Sequence, residues 1–211
     1  MDDVVLDWLW RAFPKDFSGA LVDVGAGNGV NGSLSRPLLK DGGWRGLLID
    51  PLPIHIKSLQ TLYQSNDKVR VVGCAVMPQP GEGLLYPFKE VTTTCRDWAA
   101  ACEEWWDHVH YSPPLKVVHR TLNEILESEV FPHSFDLLKV DTEGRDFDIL
   151  KSLEWKVWSP DIVVAEILDM THPSPEGRDY QVKKMRGLLE PKGYEFQLVS
   201  SAGNVVFRRM G

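Results

Sequence analysis

The sequence predicts an α/β fold: a mostly parallel sheet of seven strands with helices on both faces and an antiparallel hairpin at the C-terminal end. Short apolar runs alternate with segments whose apolar residues recur every three or four positions, which is typical of alternating strands and helices. A glycine-rich turn follows the first apolar run. The 211 residues suffice for one domain with a full core, so we expect a single domain over residues 1–211.

The N-terminal half alternates regularly between the two patterns. An amphipathic helix within residues 1–18 is expected to lie against the sheet, ending near Pro14. The elements expected after it are a strand at 21–24, a helix at 30–40, a strand at 44–50, a helix at 54–64 and a strand at 69–76.

The middle of the chain is less regular. Residues 81–87 are a candidate edge strand outside the seven, and residues 89–114 form an aromatic-rich insertion interrupted by polar residues and prolines. Two interpretations of the insertion stay open: a lid that covers a pocket, or a helix that packs its tryptophans on the core.

Regular patterns return near residue 116. Thr121 is expected to begin a helix, with Glu124 as its capping-box partner. The elements expected after it are a strand at 135–141, a helix at 146–153, a strand at 161–167, a helix at 176–190 and hairpin strands at 194–199 and 205–208.

Composition restricts the partners and the compartment. Lys and Arg total 23 against 30 Asp and Glu, a formal net charge of −7, so we expect no long nucleic acid as a partner. No apolar run approaches the roughly 20 residues that span a bilayer, and the first residues lack a basic leader. Three cysteines without metal-type spacing fit reduced thiols. We therefore expect a cytoplasmic protein with no membrane partner.

The glycine turn indicates a ligand site. Gly25, Gly27 and Gly29 follow an apolar strand, where residues without a Cβ let a ligand approach the backbone. The dinucleotide pattern G-x-G-x-x-G fails because Val30 stands at its third glycine position. The carboxylate of Asp23 would repel a pyrophosphate, which favours a cationic, phosphate-free cofactor such as S-adenosylmethionine. A nicotinamide-dependent oxidoreductase is the disfavoured alternative.

A second acid completes the predicted nucleoside pocket. Asp50 ends the apolar run of the next strand, with the spacing at which a carboxylate reaches ribose hydroxyls. Glycine turns and strand-end acids also occur in α/β proteins that bind nothing.

Four blocks of sequence resemble the FkbM-type methyltransferases, a family of class I S-adenosylmethionine-dependent enzymes. They are Val22-Asp-Val-Gly-Ala-Gly-Asn-Gly29, Ile49-Asp-Pro-Leu-Pro53, Gly73-Cys-Ala-Val76 and Phe135-Asp-Leu-Leu-Lys-Val-Asp-Thr-Glu-Gly144. The family commonly has Asn where Gly27 stands and Glu where Asp50 stands, but Asn28 is adjacent and Asp also accepts from hydroxyls.

The resemblance implies a Rossmann-like sheet and O-methylation of a small molecule or a sugar hydroxyl. A non-catalytic, cofactor-binding interaction module is the other alternative. The positions expected to bind S-adenosylmethionine are Asp23, Gly25, Gly27, Asn28, Gly29, Asp50 and Ala75.

Three acids are the candidate catalytic residues. Asp141, Glu143 and Glu166 lie at or after the ends of predicted strands, so we expect them at the same mouth as the glycine turn. A carboxylate there can take the proton of an acceptor hydroxyl. Two alternatives stay open: Asp141 or Glu143 caps the following helix, or a histidine, His119 or His172, is the base.

Oxygen ligands at this mouth also fit Mg²⁺. Asp141 and Glu166, together with Asp169, offer the hard ligands that this ion prefers. The sequence has no dense acidic motif, however, and we therefore predict no metal site.

Overall fold

The computed structural model describes residues 3–40, 43–87, 92–97, 99–100, 113–167 and 175–211. Most of the expected lid within residues 89–114 lies outside the described residues, as do Asp169 and His172. Among the described residues, no helix is both long and apolar enough to cross a membrane.

The described part of the chain alternates between strands and helices. The strands are β1 (Ala20–Val24), β2 (Arg45–Asp50), β3 (Val69–Gly73), β4 (Ala75–Val76), β5 (Gly81–Pro87), β6 (Thr92–Thr93), β7 (Leu115–Arg120), β8 (Ser134–Val140), β9 (Ser159–Glu166), β10 (Tyr194–Val199) and β11 (Asn204–Arg209). The helices are α1 (Asp3–Ala12), α2 (Arg36–Leu39), α3 (Pro53–Leu62), α4 (Leu122–Ser128), α5 (Asp146–Ser152) and α6 (Pro175–Leu189), and a 3₁₀ turn covers Glu190–Lys192.

The main sheet confirms the predicted architecture. Its seven strands have the order β10-β11-β9-β8-β1-β2-β3. The five strands from β9 to β3 pair in parallel, whereas β11 pairs antiparallel with both β9 and β10. Alternate residues of β1 face two different hydrophobic clusters: Val22 and Val24 face one, and Leu21 faces the other. Apolar side chains on both faces are typical of a parallel sheet covered by helices.

A second sheet, with the order β4-β7-β5-β6, was not expected. The predicted strand over residues 69–76 is divided, because β3 ends at Gly73 and β4 pairs with β7 instead. Residues 81–87 do form a strand, β5, but it pairs antiparallel with β7 and not with the main sheet. No residue of β7 is fully buried. A strand without a buried face does not need alternating apolar residues, which are the pattern that predicts a strand.

Two helix predictions were too long. The N-terminal helix ends at Ala12. The helix expected over residues 30–40 is only the four-residue α2. Asn28 Oδ1 accepts hydrogen bonds from the backbone N–H groups of Val30 and Asn31, which folds that stretch as a turn. Pro37 stands in the first turn of α2, the position where a missing N–H costs nothing.

The capping prediction for α4 is confirmed. Thr121 Oγ1 accepts from the backbone N–H of Glu124, and the Glu124 carboxylate accepts from the backbone N–H of Thr121. These two bonds satisfy N–H groups that the first turn of a helix leaves unpaired.

Candidate active site

A pocket opens where β1, β2 and β8 end. The carboxyl ends of parallel strands meet at this edge of the sheet, which is where ligands bind in open α/β folds. Strands β4 and β5 of the second sheet supply a further wall. Predicted site residues in its lining are Gly25, Gly27, Asp50, Ala75, Asp141 and Glu143.

The glycine turn packs directly against the end of β8. Gly25 has φ +79°, and a Cβ at this position would overlap the carbonyl oxygen of Asp141. The Gly25 N–H donates to the Ile49 carbonyl at 2.9 Å, and the Asp141 N–H donates to the Val24 carbonyl at the same distance. The backbone therefore holds the turn and the start of the acidic segment together.

Two of the predicted turn residues do not line the pocket. A Cβ on Gly29, which has φ +74°, would lie 2.6 Å from Leu59 Cδ2, so this glycine permits close packing on α3. The Asn28 side chain holds the turn through its bonds to Val30 and Asn31. Both residues shape the turn.

Asp50 is fixed at the end of β2. Its Oδ2 accepts from the Gly27 N–H at 2.9 Å, while Oδ1 accepts from the Leu52 N–H at 2.9 Å and lies 3.1 Å from His55 Nδ1. The carboxylate thus ties the glycine turn to the loop after β2. It lines the pocket in one defined orientation, with lone pairs available for a ligand.

Across the pocket, Cys74 and Ala75 form a buried wall. Burial raises the pKa of the Cys74 thiol to about 11, although Arg120 acts to lower it. The thiol is therefore neutral near pH 7 and contributes apolar contact rather than a nucleophile.

Asp23 lies beneath the pocket and not in its lining. It is 1% exposed, and its carboxylate accepts from Ser35 Oγ at 2.6 Å and from Lys139 Nζ at 3.1 Å. Sequence reasoning placed this acid beside the cofactor. In the structure the Asp23 carboxylate is hydrogen-bonded to Ser35 and Lys139. It therefore acts on the pocket indirectly, by offsetting the positive charge of Lys139.

Lys139 is the main site residue that sequence reasoning missed. Lys139 lines the pocket, and its ammonium lies between Asp23 and Asp141, 3.3 Å from Asp141 Oδ2. Burial acts to lower the pKa of Lys139, but the two carboxylates outweigh it and raise the pKa above the ordinary value. The available signal was a lysine inside an apolar strand, since a buried lysine requires acidic partners.

The structure brings the three predicted catalytic acids together. One carboxylate oxygen from each of Asp141, Glu143 and Glu166 lies within 4.8 Å of the other two. Glu166 Oε2 is buried and has no hydrogen-bond partner among the described residues. Burial first, and then the neighbouring carboxylates, hold the pKa of Glu166 well above its ordinary value.

The loop that carries Glu143 has an unusual backbone. Glu143 has φ +54°, in the left-handed region that non-glycine residues rarely adopt. Thr93 Oγ1 donates to the Glu143 carbonyl at 2.6 Å, so the second sheet helps hold this conformation. Backbone strain of this kind concentrates at functional sites.

Helix capping does not explain Asp141. Helix α5 begins at Asp146 with Arg145 as its N-cap residue, so Asp141 lies before the first turn.

Asp146 was missed as a site residue. It is buried, and its carboxylate accepts hydrogen bonds from the N–H and Oγ1 of Thr142. Burial and the nearby Asp141 raise the pKa of Asp146 to about 7. An acid at the start of a helix is explained by its favourable interaction with the helix dipole, so the sequence did not indicate a role of Asp146 in the site.

His119, an alternative base, is not among the pocket residues. It lies on β7 with its ring against Gly83, and its Nε2 is buried without a hydrogen-bond partner among the described residues. Burial and the Arg145 guanidinium lower the pKa of this imidazole.

Comparison with solved structures supports the fold. The chain is 16% identical to the methyltransferase FkbM from Methylobacillus flagellatus KT, with a TM-score of 0.52, and the match covers 90% of this chain but only 43% of that one. A precorrin-6y C5,15-methyltransferase from Geobacter metallireducens GS-15 matches at 11% identity and a TM-score of 0.52, over 99% of this chain and 88% of that one. The METTL16 methyltransferase domain matches at 10% identity and a TM-score of 0.53, over 96% and 64% of the two chains.

At these identities the structural matches show the fold alone. No curated protein matches the sequence significantly. The family model described as the methyltransferase FkbM domain matches residues 23–196. That range contains the glycine turn, Asp50 and the acidic cluster, and it exceeds half of the chain, so this protein belongs to the FkbM methyltransferase family.

Proposed function

We propose that this chain is an S-adenosylmethionine-dependent O-methyltransferase that acts on a hydroxyl of a small molecule or a sugar. The observation that carries the proposal is one pocket lined by two sets of groups. The glycine turn and Asp50 are the first set, and the acids Asp141 and Glu143 are the second. A cofactor that brings a reactive group to an acceptor needs such an arrangement.

We assign the nucleoside half of the cofactor to the part of the pocket lined by Asp50 and Ala75. The Asp50 carboxylate accepts hydrogen bonds from the ribose hydroxyls, and buried Ala75 contacts the adenine. Gly27 lets the methionyl part approach the backbone, because a Cβ on this residue would occupy open space. Gly25 also lines the pocket, and its missing Cβ lets the turn pack against the end of β8. Asn28 and Gly29 support this part by shaping the turn, and Asp23 supports it by neutralising Lys139 from below.

The charge of the pocket also favours this cofactor. S-adenosylmethionine carries a sulfonium and an ammonium, and Asp141 and Glu143 line the wall where the reactive end would lie. The pyrophosphate of a nicotinamide cofactor would meet the same carboxylates and be repelled.

Methyl transfer requires alignment and the removal of one proton. When bound, S-adenosylmethionine would supply the methyl group to the acceptor oxygen, and the electrons of the broken carbon–sulfur bond would stay on sulfur. Asp141 takes the proton of the acceptor hydroxyl, and Glu143, which lines the same pocket, holds the acceptor. Glu166 is not in the lining and lies beside these two acids.

A screen of hydroxyl acceptors tests the proposal. Purified protein is incubated with S-adenosylmethionine and a library of sugars and small hydroxyl compounds, and release of S-adenosylhomocysteine is measured. We expect release above the acceptor-free background with one class of hydroxyl compound. Tight cofactor binding without turnover on any compound would favour the interaction module, whereas binding of NAD but not S-adenosylhomocysteine would favour the oxidoreductase.

A further inference from the structure

The acidic cluster is built from adjacent parallel strands. Val140 at the end of β8 lies in register with Ala165 on β9, so Asp141 and Glu166, the next residue on each chain segment, are neighbours. The loop after β8 returns Glu143 to the same point through its left-handed backbone. The main sheet and this loop therefore direct three carboxylates at one small volume, with oxygens within 4.8 Å of one another.

The Glu166 carboxylate provides an independent sign that a ligand belongs there. Its Oε2 is buried and has no hydrogen-bond partner in the described part of the chain. A buried polar oxygen without a partner is costly. The Lys139 ammonium contacts Asp23 and Asp141.

We propose that Asp141, Glu143 and Glu166 bind one divalent cation of the hard, oxygen-preferring class represented by Mg²⁺. Ligand oxygens on opposite sides of such an ion are about 4–5 Å apart, twice a metal–oxygen distance of about 2.0–2.6 Å. The three oxygens lie within 4.8 Å of one another, so one ion placed among them is close enough to contact all three. An organic ammonium would offset one charge of the three carboxylates, whereas a divalent cation offsets two.

A cation here would also restrict the acceptor. Mg²⁺ typically binds through a few carboxylates and keeps further positions for water and substrate oxygens. Asp141 and Glu143 line the pocket, so those positions face the reacting end. A coordinated hydroxyl would lose its proton more easily. This role of the cation rests on the proposed function. It would limit the acceptor to compounds that offer a metal-binding hydroxyl oxygen.

Binding of Mn²⁺ tests the site without cofactor or acceptor. Protein treated with a chelator and dialysed is titrated with Mn²⁺, and free Mn²⁺ is followed by its electron paramagnetic resonance signal. We expect one site that excess Mg²⁺ displaces. Glu166→Gln keeps the side-chain shape but removes a charged ligand, and should weaken binding at least about tenfold. Glu127→Gln, at an exposed position on α4, should leave it unchanged.

Glu143→Gln provides a second ligand variant on a partly exposed loop residue, and thermal melting checks that each variant is folded. Absence of Mn²⁺ binding to the parent at millimolar concentration, or parental affinity in folded Glu166→Gln and Glu143→Gln, would overturn the proposal. Calorimetric binding of methylammonium without Mn²⁺ binding would assign the cluster to an organic cation. Cofactor binding is not needed for any readout, so failure here is separate from failure of the methyltransferase proposal.

Discussion

The ammonium of Lys139 on β8 lies 3.1 Å from Asp23 Oδ1 on β1 and 3.3 Å from Asp141 Oδ2. Asp23 and Lys139 are paired residues of adjacent parallel strands, and both are buried. This contact links the floor of the pocket to its reacting end. It fixes one oxygen of Asp141 and leaves the other for ligands.

Removal of the Lys139 ammonium should destabilise the fold through Asp23. Lys139→Met leaves a buried carboxylate without its ion pair, which we expect to cost about 3–5 kcal/mol in the free energy of unfolding. The double variant Asp23→Asn/Lys139→Met removes both charges and should recover much of that loss. Chemical denaturation of the parent and the two variants measures the difference, and equal stability of the single and double variants would contradict the pairing.

Asp50 should control cofactor affinity. Asp50→Ala removes the acceptor for the ribose hydroxyls, which we expect to cost about 1–3 kcal/mol, or roughly fivefold to 150-fold in affinity. Asp67→Ala, at an exposed site away from the pocket, is the matched control. Calorimetry with S-adenosylhomocysteine gives both values. Because the Asp50 carboxylate also accepts from the backbone of Gly27, thermal melting should accompany the binding data. Parental affinity in Asp50→Ala would show that the ribose lies elsewhere.

Asp141 should affect turnover far more than cofactor binding. Asp141→Asn keeps the size of the side chain but loses basicity and charge, so turnover should fall by about 10²–10⁴-fold if the carboxylate is the general base. Asp148→Asn, an exposed acid on α5, should have little effect. Turnover is measured as S-adenosylhomocysteine release with an identified acceptor. Near-parental turnover in Asp141→Asn would remove this acid from the catalytic residues.

Tyr194 should contribute to stability through one buried hydrogen bond. Its hydroxyl donates to the Pro160 carbonyl at 2.6 Å, so Tyr194→Phe should lower the free energy of unfolding by about 1 kcal/mol. The Tyr63 hydroxyl is also buried but has no hydrogen-bond partner among the described residues, so Tyr63→Phe should cost less. A larger loss in Tyr63→Phe would contradict this assignment.

The same tyrosine predicts a pH dependence of stability. Burial raises the pKa of Tyr194 above the ordinary value of 10.0. The folded state therefore favours the neutral phenol, and the stability it contributes is complete below the unfolded pKa and lost as the pH rises above it. The stability difference between the parent and Tyr194→Phe should shrink as the pH is raised from 9 to 11. Denaturation at several pH values checks the sign, and a widening difference would be inconsistent with it.

The main sheet was predictable because its central strands are buried on both faces. Residues such as Val22, Val24 and Leu47 form the apolar runs that such burial requires. The second sheet was not predictable in this way, since β7 is largely accessible to solvent and β4 has only two residues. The short α2 was missed because the turn before it depends on the Asn28 side chain, which helical periodicity does not reveal.

Site residues were predictable where they lie at the end of an apolar strand. Asp50 and Asp141 follow apolar strands, and the rule of carboxyl ends places both at the pocket. Asp23 and Lys139 needed the register between β1 and β8, which no local pattern contains. The contact of Asp146 with Thr142 depends on the loop after β8, which no local pattern reveals. The catalytic and cofactor-binding roles themselves stay predictions.

Cofactor binding to the parent protein tests the central claim most directly. The purified chain is titrated calorimetrically with S-adenosylmethionine and, in parallel, with NAD. We predict one site for S-adenosylmethionine, competition by S-adenosylhomocysteine and no heat of binding with NAD. No binding of S-adenosylmethionine at millimolar concentration, or binding of NAD alone, would contradict the assignment of this pocket to a methyltransferase.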